Sequence, residues 1–442
     1  MALRGWSSLA TGEAYARARQ LCERLGDDPR LFSVLYGLAV FHMTRGEHPK
    51  ALGIAKEMPG LALRLKNDEL LVQAYWALGS TQFFLGQLIE ANQSLRQVLS
   101  LYDPLRHRTL ALQFAHDPYM SSLVLDAMTL WLLGFPDQGE ANARAALSYA
   151  RELGYPFSLC WCIQELTVYC VTRKDFPGAV RLIEEGIPLM REYGYSMLEE
   201  SEQALQLLAT AAQGNIDEFI VKSRQARRYT DIEFQIRQTW VRATLAEAFV
   251  KAGKASTATS LLDQASRLLQ NNEERFFEPE IYRIRGELVF DQAAGTPLSV
   301  SQAREAEGLF RAAVASAREH SARMLELRAA TSLSRLLAHT GNAAEAFKVL
   351  TDTCAMFTEG SKRRNSRQQR VFWQPSISSR TLPRSLSMIC FHLVSRGCFR
   401  SERYCNPCFR TDRQRAIVRL PLKANPRGPG PPAEEAYLSV LG

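Results

Sequence analysis

The feature that most constrains this chain is a motif that returns about every forty residues. In "WALGSTQFFLGQLIEANQSLRQVLSLYDP", residues 76–104, Leu78 and Gly79 stand eight and seven residues before Gly86, and Ala91, Leu95 and Val98 stand five, nine and twelve after it. Gly253 repeats the arrangement with Leu245 and Ala246 before it and Ala258, Leu262 and Ala265 after it. Gly134 carries Gly139, Ala143 and Ala146, Gly46 carries Ala51, Ala55 and Met58, and Gly341 carries Ala346 and Leu350. Asp175, with Val180 and Ile187, and Gly214, with Phe219 and Ala226, read as weaker copies. The anchors are spaced by 40, 48, 41, 39, 39 and 88 residues, and the last gap leaves room for a copy whose helices hold "YRIRGELVF" and "AEGLFRAAVASARE".

Each unit reads as a helical hairpin in which the first helix ends at the turn Gly and the second lies against it. A small residue at the closest approach lets the backbones near each other, and a large one a turn later fills the gap. Neither helix buries its apolar face alone, so the pairs must stack into one continuous core. The expected fold is all-α, a superhelical array of helical hairpins over residues 1–360. Met1 falls, in this register, inside the second helix of a unit, "AYARARQLCERLG", so a capping first helix is expected to be missing or poorly formed.

The pattern of Leu-Gly, Gly, Ala, large apolar and Ala resembles tetratricopeptide repeats, although the period there is 34 and their first-helix Trp and Tyr are mostly replaced here. The resemblance implies a divergent tetratricopeptide-like solenoid with a concave binding face. "LYDPLRHRTLALQFAHDPYMSSLVLDAMTLWLLGFPDQ" at 101–138, "YPFSL" at 155–159, "ERFFEPEIYRIRGELVF" at 274–290, "LELRAATSLSRL" at 325–336 and "MFTEG" at 356–360 are also similar, in the same order, to the C-terminal repeat region of large bacterial signalling proteins. In those proteins an adenylate or guanylate cyclase domain, or a transcriptional-activator domain, precedes a signal-transducing ATPase domain. The resemblance implies an interaction or sensor module from such a regulator, here as a detached fragment.

The chemistry of those upstream domains has no counterpart in these motifs. The nearest approach to a phosphate-binding loop, "GFPDQGE" at 134–140, puts Glu140 where a lysine is required, and H-E-x-x-H and G-x-S-x-G are both missing. No catalytic residue, cofactor or metal is expected. His107, His116 and Asp117 lie in the stretch that lengthens the Gly86-to-Gly134 spacing, where "HDP" reads as an Asp capping a helix that starts with Pro rather than as a ligand site. If tetratricopeptide geometry holds, the first helices place Tyr36, Trp76, Phe83, Trp131, Tyr169 and Trp240 near a concave groove, with Arg283, Glu287, Arg328 and Arg335 toward its C-terminal end. Aromatic anchors and arginines suit a protein or peptide ligand; the competing readings are inter-repeat core for the aromatics and a solvated face for the charges.

Composition adds compartment and charge. With 46% hydrophobic and 23% charged residues the chain is of ordinary globular type. Its most apolar window, "YPFSLCWCIQELTVYCV", is broken by Gln164 and Glu165, and the N-terminus lacks a secretory pattern, so no membrane span and a cytoplasmic location are expected. Cys22, Cys160, Cys162, Cys170 and Cys354 sit among helical apolar positions and read as reduced, buried thiols. The formal charge of +8 is uneven: residues 361–442 hold 14 Arg and 2 Lys against 4 acids, which leaves the body mildly acidic. That segment, with 10 Ser, 8 Pro and 4 Cys, loses all periodicity directly after "MFTEG". It reads as a disordered basic Arg/Ser/Pro-rich tail, arising from a reading-frame change near Gly360; Cys390, Cys398, Cys405 and Cys408 lack the two tight pairs of a structural zinc site. Nucleic-acid binding through this tail is the alternative function, with no recognisable module to support it.

Overall fold

The computed structural model describes residues 8–113, 116–225, 236–291 and 298–359. All the described residues belong to one compact unit. The expectations for the basic tail and its four cysteines fall outside the described residues, as does Ala226.

The described residues form helices and connections, with no strand among them. In chain order, α1 (Leu9–Leu25) is followed by the hairpins α2 (Asp28–Thr44) with α3 (His48–Arg64) and α4 (Asp68–Phe84) with α5 (Leu88–Leu101). The single-turn helices α6 (Pro104–His107) and α7 (Leu110–Gln113) fill the longer connection to α8 (Pro118–Leu132) and α9 (Pro136–Leu153). Next come α10 (Pro156–Arg173) with α11 (Phe176–Glu192), α12 (Ser196–Ala212) with α13 (Ile216–Gln225), and α14 (Gln238–Lys251) with α15 (Ala255–Asn272). The copy expected in the longest gap is present as α16 (Glu278–Asp291) and α17 (Val300–Glu319), and α18 (Arg323–His339) with α19 (Ala343–Cys354) ends the array.

The repeat motif does what its spacing requires. Gly46, Gly86, Gly134, Gly214, Gly253 and Gly341 adopt φ between 69 and 98°, the left-handed turn that ends each first helix. After α4 the Gly86 amide donates to Phe83 O at 3.0 Å and the Gln87 amide to Gln82 O at 2.9 Å, which satisfies two terminal carbonyls. Behind the turns, Ala51, Ala55, Met58, Ala91, Leu95, Val98, Ala258, Leu262, Ala265, Ala346 and Leu350 are all buried. The close approach is visible at Gly79, where an added Cβ would lie 2.9 Å from Leu95 Cγ, and at Gly286, where it would lie 2.6 Å from the Phe310 ring.

One unit departs from the expected register. The left-handed residue after α10 is Lys174, at φ 64°, and Asp175 instead caps α11 by accepting from the Gly178 amide at 3.1 Å. The anchors therefore stand at 134, 174 and 214, evenly spaced. Val180 is exposed and Ile187 half-buried, while Ala179, Ile183 and Gly186 fill the positions assigned to them by the shifted register. A lysine in a conformation that favours Gly conceals the anchor.

First helices also pack on one another, α2 on α4, α4 on α8 and so on to α18, and form the inner layer. Second helices are amphipathic and form the outer layer. In α8 every residue from Met120 to Leu132 is buried, whereas α9 buries Gly139, Ala143, Ala146, Ala150 and Leu153. No helix among the described residues is long and apolar enough to cross a membrane.

Candidate interaction site in the array interior

The inner faces of the first helices, where the sequence places a groove, meet the opposite wall of the array. The Arg275 amide donates to Phe84 O at 2.8 Å across 191 positions of chain, and Phe83 packs on Phe276 at 4.9 Å between ring centroids. Gly86 lies against His320, and Gly134 against Arg323 and Phe357. Arg328 reaches from α18 to donate to Thr172 O at 2.7 Å, with its guanidinium 5.1 Å from the Trp131 ring centroid. Beyond α19, the Glu359 carboxylate accepts from the amides of Asp137 and Gln138 at 3.1 and 3.3 Å. It thus supplies α9 with the cap that Phe135 cannot give.

This closure corrects the groove expectation. Tyr36, Trp76, Phe83, Trp131, Tyr169 and Trp240 are each 5% exposed or less and offer no surface to a ligand. They are core. Tyr36 and Trp76 surround His116, whose Nε2 shares a hydrogen bond of 3.0 Å with the Tyr36 hydroxyl and whose ring lies 4.1 Å from that of Trp76. Burial pushes His116 down to about 4, so it is neutral at pH 7. Beside it Asp117 caps α8, accepting from the Met120 amide at 2.8 Å ahead of Pro118, as "HDP" suggests, and takes a second bond from the Tyr102 hydroxyl at 2.7 Å. His107 is buried separately against Tyr102. Among the described residues no group of three or more His, Cys, Asp or Glu side chains is placed to hold a metal ion.

The four charged candidates do come together. Spacing along α16 puts Glu280, Arg283 and Glu287 on one face, and along α18 it puts Arg328 and Arg335 on the face opposite. Arg283 bonds both oxygens of Glu280 at 2.8 Å and lies 3.6 Å from Glu287. Arg328 approaches Glu280 at 3.5 Å, and Arg335 lies 3.2 Å from Glu287. The sequence reading misses the other half of the network. Glu247 of α14 accepts at one oxygen from Lys174 at 2.7 Å and Arg283 at 2.9 Å, with Lys251 at 3.5 Å. Burial opposes ionisation of Glu247, yet Lys174, Lys251 and Arg283 hold its carboxyl well below the ordinary range. Lys174 is pushed down to about 8 by burial, partly offset by Glu247 and reinforced by Arg328, Lys251 and Arg283. A cavity of about 20 Å³, room for one water, lies between Thr172, Lys174, Thr244, Glu247, Glu280 and Arg328.

The network is graded in exposure. The carboxylate side chains of Glu280, Glu287 and Glu247 are 2, 11 and 14% exposed, whereas those of Lys174, Arg335 and Lys251 are 33, 35 and 54% exposed. Buried acids are thus roofed by partly solvated cations. No protein-family model matches the chain, and no curated protein matches it either.

Proposed function

We propose that the chain is a non-catalytic interaction or sensor module of a bacterial signalling protein, a cytoplasmic regulator of the cyclase- or ATPase-linked kind, and that it engages a protein partner at the charged end of its interior. The observation that carries this reading is the partly solvated rim of Lys174, Lys251 and Arg335 above largely buried carboxylates. Five cations and three acids held at an inner wall are costly to desolvate, and hydrophobic residues of similar volume would pack as stably. Such groups suit recognition better than stability. A stacked hairpin array supplies a rigid frame for the purpose, since each unit is fixed by its neighbours.

The test is site-specific photo-crosslinking in the source cell. A photoreactive side chain at Ala252, exposed beside Lys251, should capture a discrete protein, and the same side chain at Ser148 on outer helix α9 should not. Capture at neither position, or at both alike, refutes the assignment. In parallel, the purified chain should neither hydrolyse nucleoside triphosphates nor cyclise them; turnover abolished by a point substitution in this chain overturns the non-catalytic reading.

A further inference from the structure

Charge balance within the network points to the chemistry of the partner. Lys174, Lys251, Arg283, Arg328 and Arg335 are joined by ion pairs to Glu247, Glu280 and Glu287, so the connected group carries five positive charges against three negative. Asp291 sits near enough for Arg335 and Lys251 to act on it; counted as fully ionised, it still leaves a cation unmatched. The body of the chain is mildly acidic, so a local positive surplus at an inner wall runs against the average surface. The deficit is also placed asymmetrically. Glu280 is fully engaged by Arg283 and Arg328, whereas three cations share Glu247.

We infer that the rim formed by Lys174, Lys251 and Arg335 is a docking site for an acidic protein segment, one of whose side-chain carboxylates supplies the missing counter-charge beside Glu247. The inference rests on the interaction-module reading above and adds the sign and class of the partner. The cavity beside Lys174, Glu247 and Arg328 has room for about one water, which leaves space for no more than the tip of a side chain. Arg335 already lies over the Phe290 ring at 5.6 Å, which holds its guanidinium plane for a carboxylate to approach edge-on. Lys174, in contrast to Arg283, has a weakened hold on its proton, first because of burial and then because Arg328, Lys251 and Arg283 crowd it, despite its bond to Glu247. An added carboxylate would raise that hold again, so binding and Lys174 protonation reinforce each other.

The experiment measures fluorescence anisotropy of three labelled peptides of equal length, alternating Ser with Glu, Lys or Gln, on the full chain at low ionic strength. The Glu peptide should bind and the other two should not. Lys251→Gln and Arg335→Gln should each weaken that binding about fivefold or more, and Asp291→Asn should strengthen it about twofold, with helical content and melting unchanged; added salt should weaken Glu-peptide binding. Absence of Glu-peptide binding overturns the inference, as does equal binding of the Lys or Gln peptide or indifference to the rim substitutions. Displacement of the Glu peptide by millimolar inorganic phosphate, with the same sensitivity to the rim substitutions, identifies a small-anion site and also overturns it. A partner crosslinked at Ala252 through a basic or neutral segment refutes the acidic class and leaves the module reading standing.

Discussion

Gly139→Ala tests the packing rule on which the array is built, because the sign of its effect is set by geometry. Alanine is a better helix former than glycine by about 1 kcal/mol, and at an open helical site the exchange stabilises. At Gly139 of α9 the added Cβ would stand 2.7 Å from the Ala127 carbonyl oxygen, 3.1 Å from the Tyr169 hydroxyl and 3.4 Å from the Trp131 amide nitrogen. The first obstacle is helical backbone and cannot rotate away, so α8 and α9 must separate by about half an ångström to restore ordinary contact. Overpacking of that kind costs about 1–3 kcal/mol. Less the propensity gain, the net is a destabilisation of up to about 2 kcal/mol. Gly53 and Gly60 of α3 and Gly308 of α17 have no atom within 4 Å of an added Cβ, and each exchange to Ala there should stabilise by about 0.5–1 kcal/mol. Thermal melts followed by circular dichroism give the sign, and hydrogen exchange on α8 and α9 locates it. Gly139→Ala melting as high as Gly53→Ala would refute the claim that close backbone approach dictates the small residue after each turn.

Packing, burial and capping elsewhere in the array set three further expectations. Ala258→Leu, at a position 0% exposed, should destabilise α14 and α15 by about 1–3 kcal/mol with protection lost mainly there and in adjacent units; an unchanged melt would contradict the register. Glu202 of α12 is pushed up to about 7 by burial, opposed by its bond from the Thr167 hydroxyl at 2.7 Å and reinforced by Glu165. The native state therefore holds a proton that the unfolded chain releases above its ordinary value near 4.5, so stability should fall as pH rises from about 4.5 to 7 and Glu202→Gln should flatten that stretch; a slope that survives the substitution assigns it elsewhere. Glu359→Ala should uncap α9 by about 1 kcal/mol and speed exchange at the Asp137 and Gln138 amides about fivefold, while α3, which Glu359 does not touch, keeps its rate.

What the sequence discloses of this molecule is what neighbouring residues decide. The turn glycines, the small residues five positions on and the large residues nine positions on express contacts within one hairpin, and they can be read from Gly46, Gly86, Gly253 and Gly341 directly. Curvature is different, because it is set by how successive hairpins rotate on one another and leaves no fixed spacing. That is why six aromatics on the inner helices read as groove anchors although the array folds back and buries them. A hint was present: "SSLVLDAMTLWLL" in α8 has no polar stripe wide enough to face water, and a helix apolar on every side is a buried helix. The charged network shows the same division. Arg283, Glu287, Arg328 and Arg335 were found from their place along two first helices, but their counterparts come from α14 and from the turn after α10. At that turn a lysine occupies the left-handed position, and the register built on Asp175 passes over it. Lys174 is thus the residue where the repeat departs from its own rule, with its backbone in the left-handed region that glycine adopts more easily. The same residue places an amine beside Glu247 and at the rim of the cavity. Lys66, Arg237, Glu273 and Ser321 also adopt positive φ at helix ends, so it is the ion pair with Glu247, and not the backbone conformation, that ties Lys174 to the site. Lys174→Gly separates the two roles: it should keep the turn and raise the melting temperature or leave it unchanged, while removing the Glu-peptide binding expected of the rim. A marked loss of stability would instead show that Lys174 is held in place as a structural partner of Glu247.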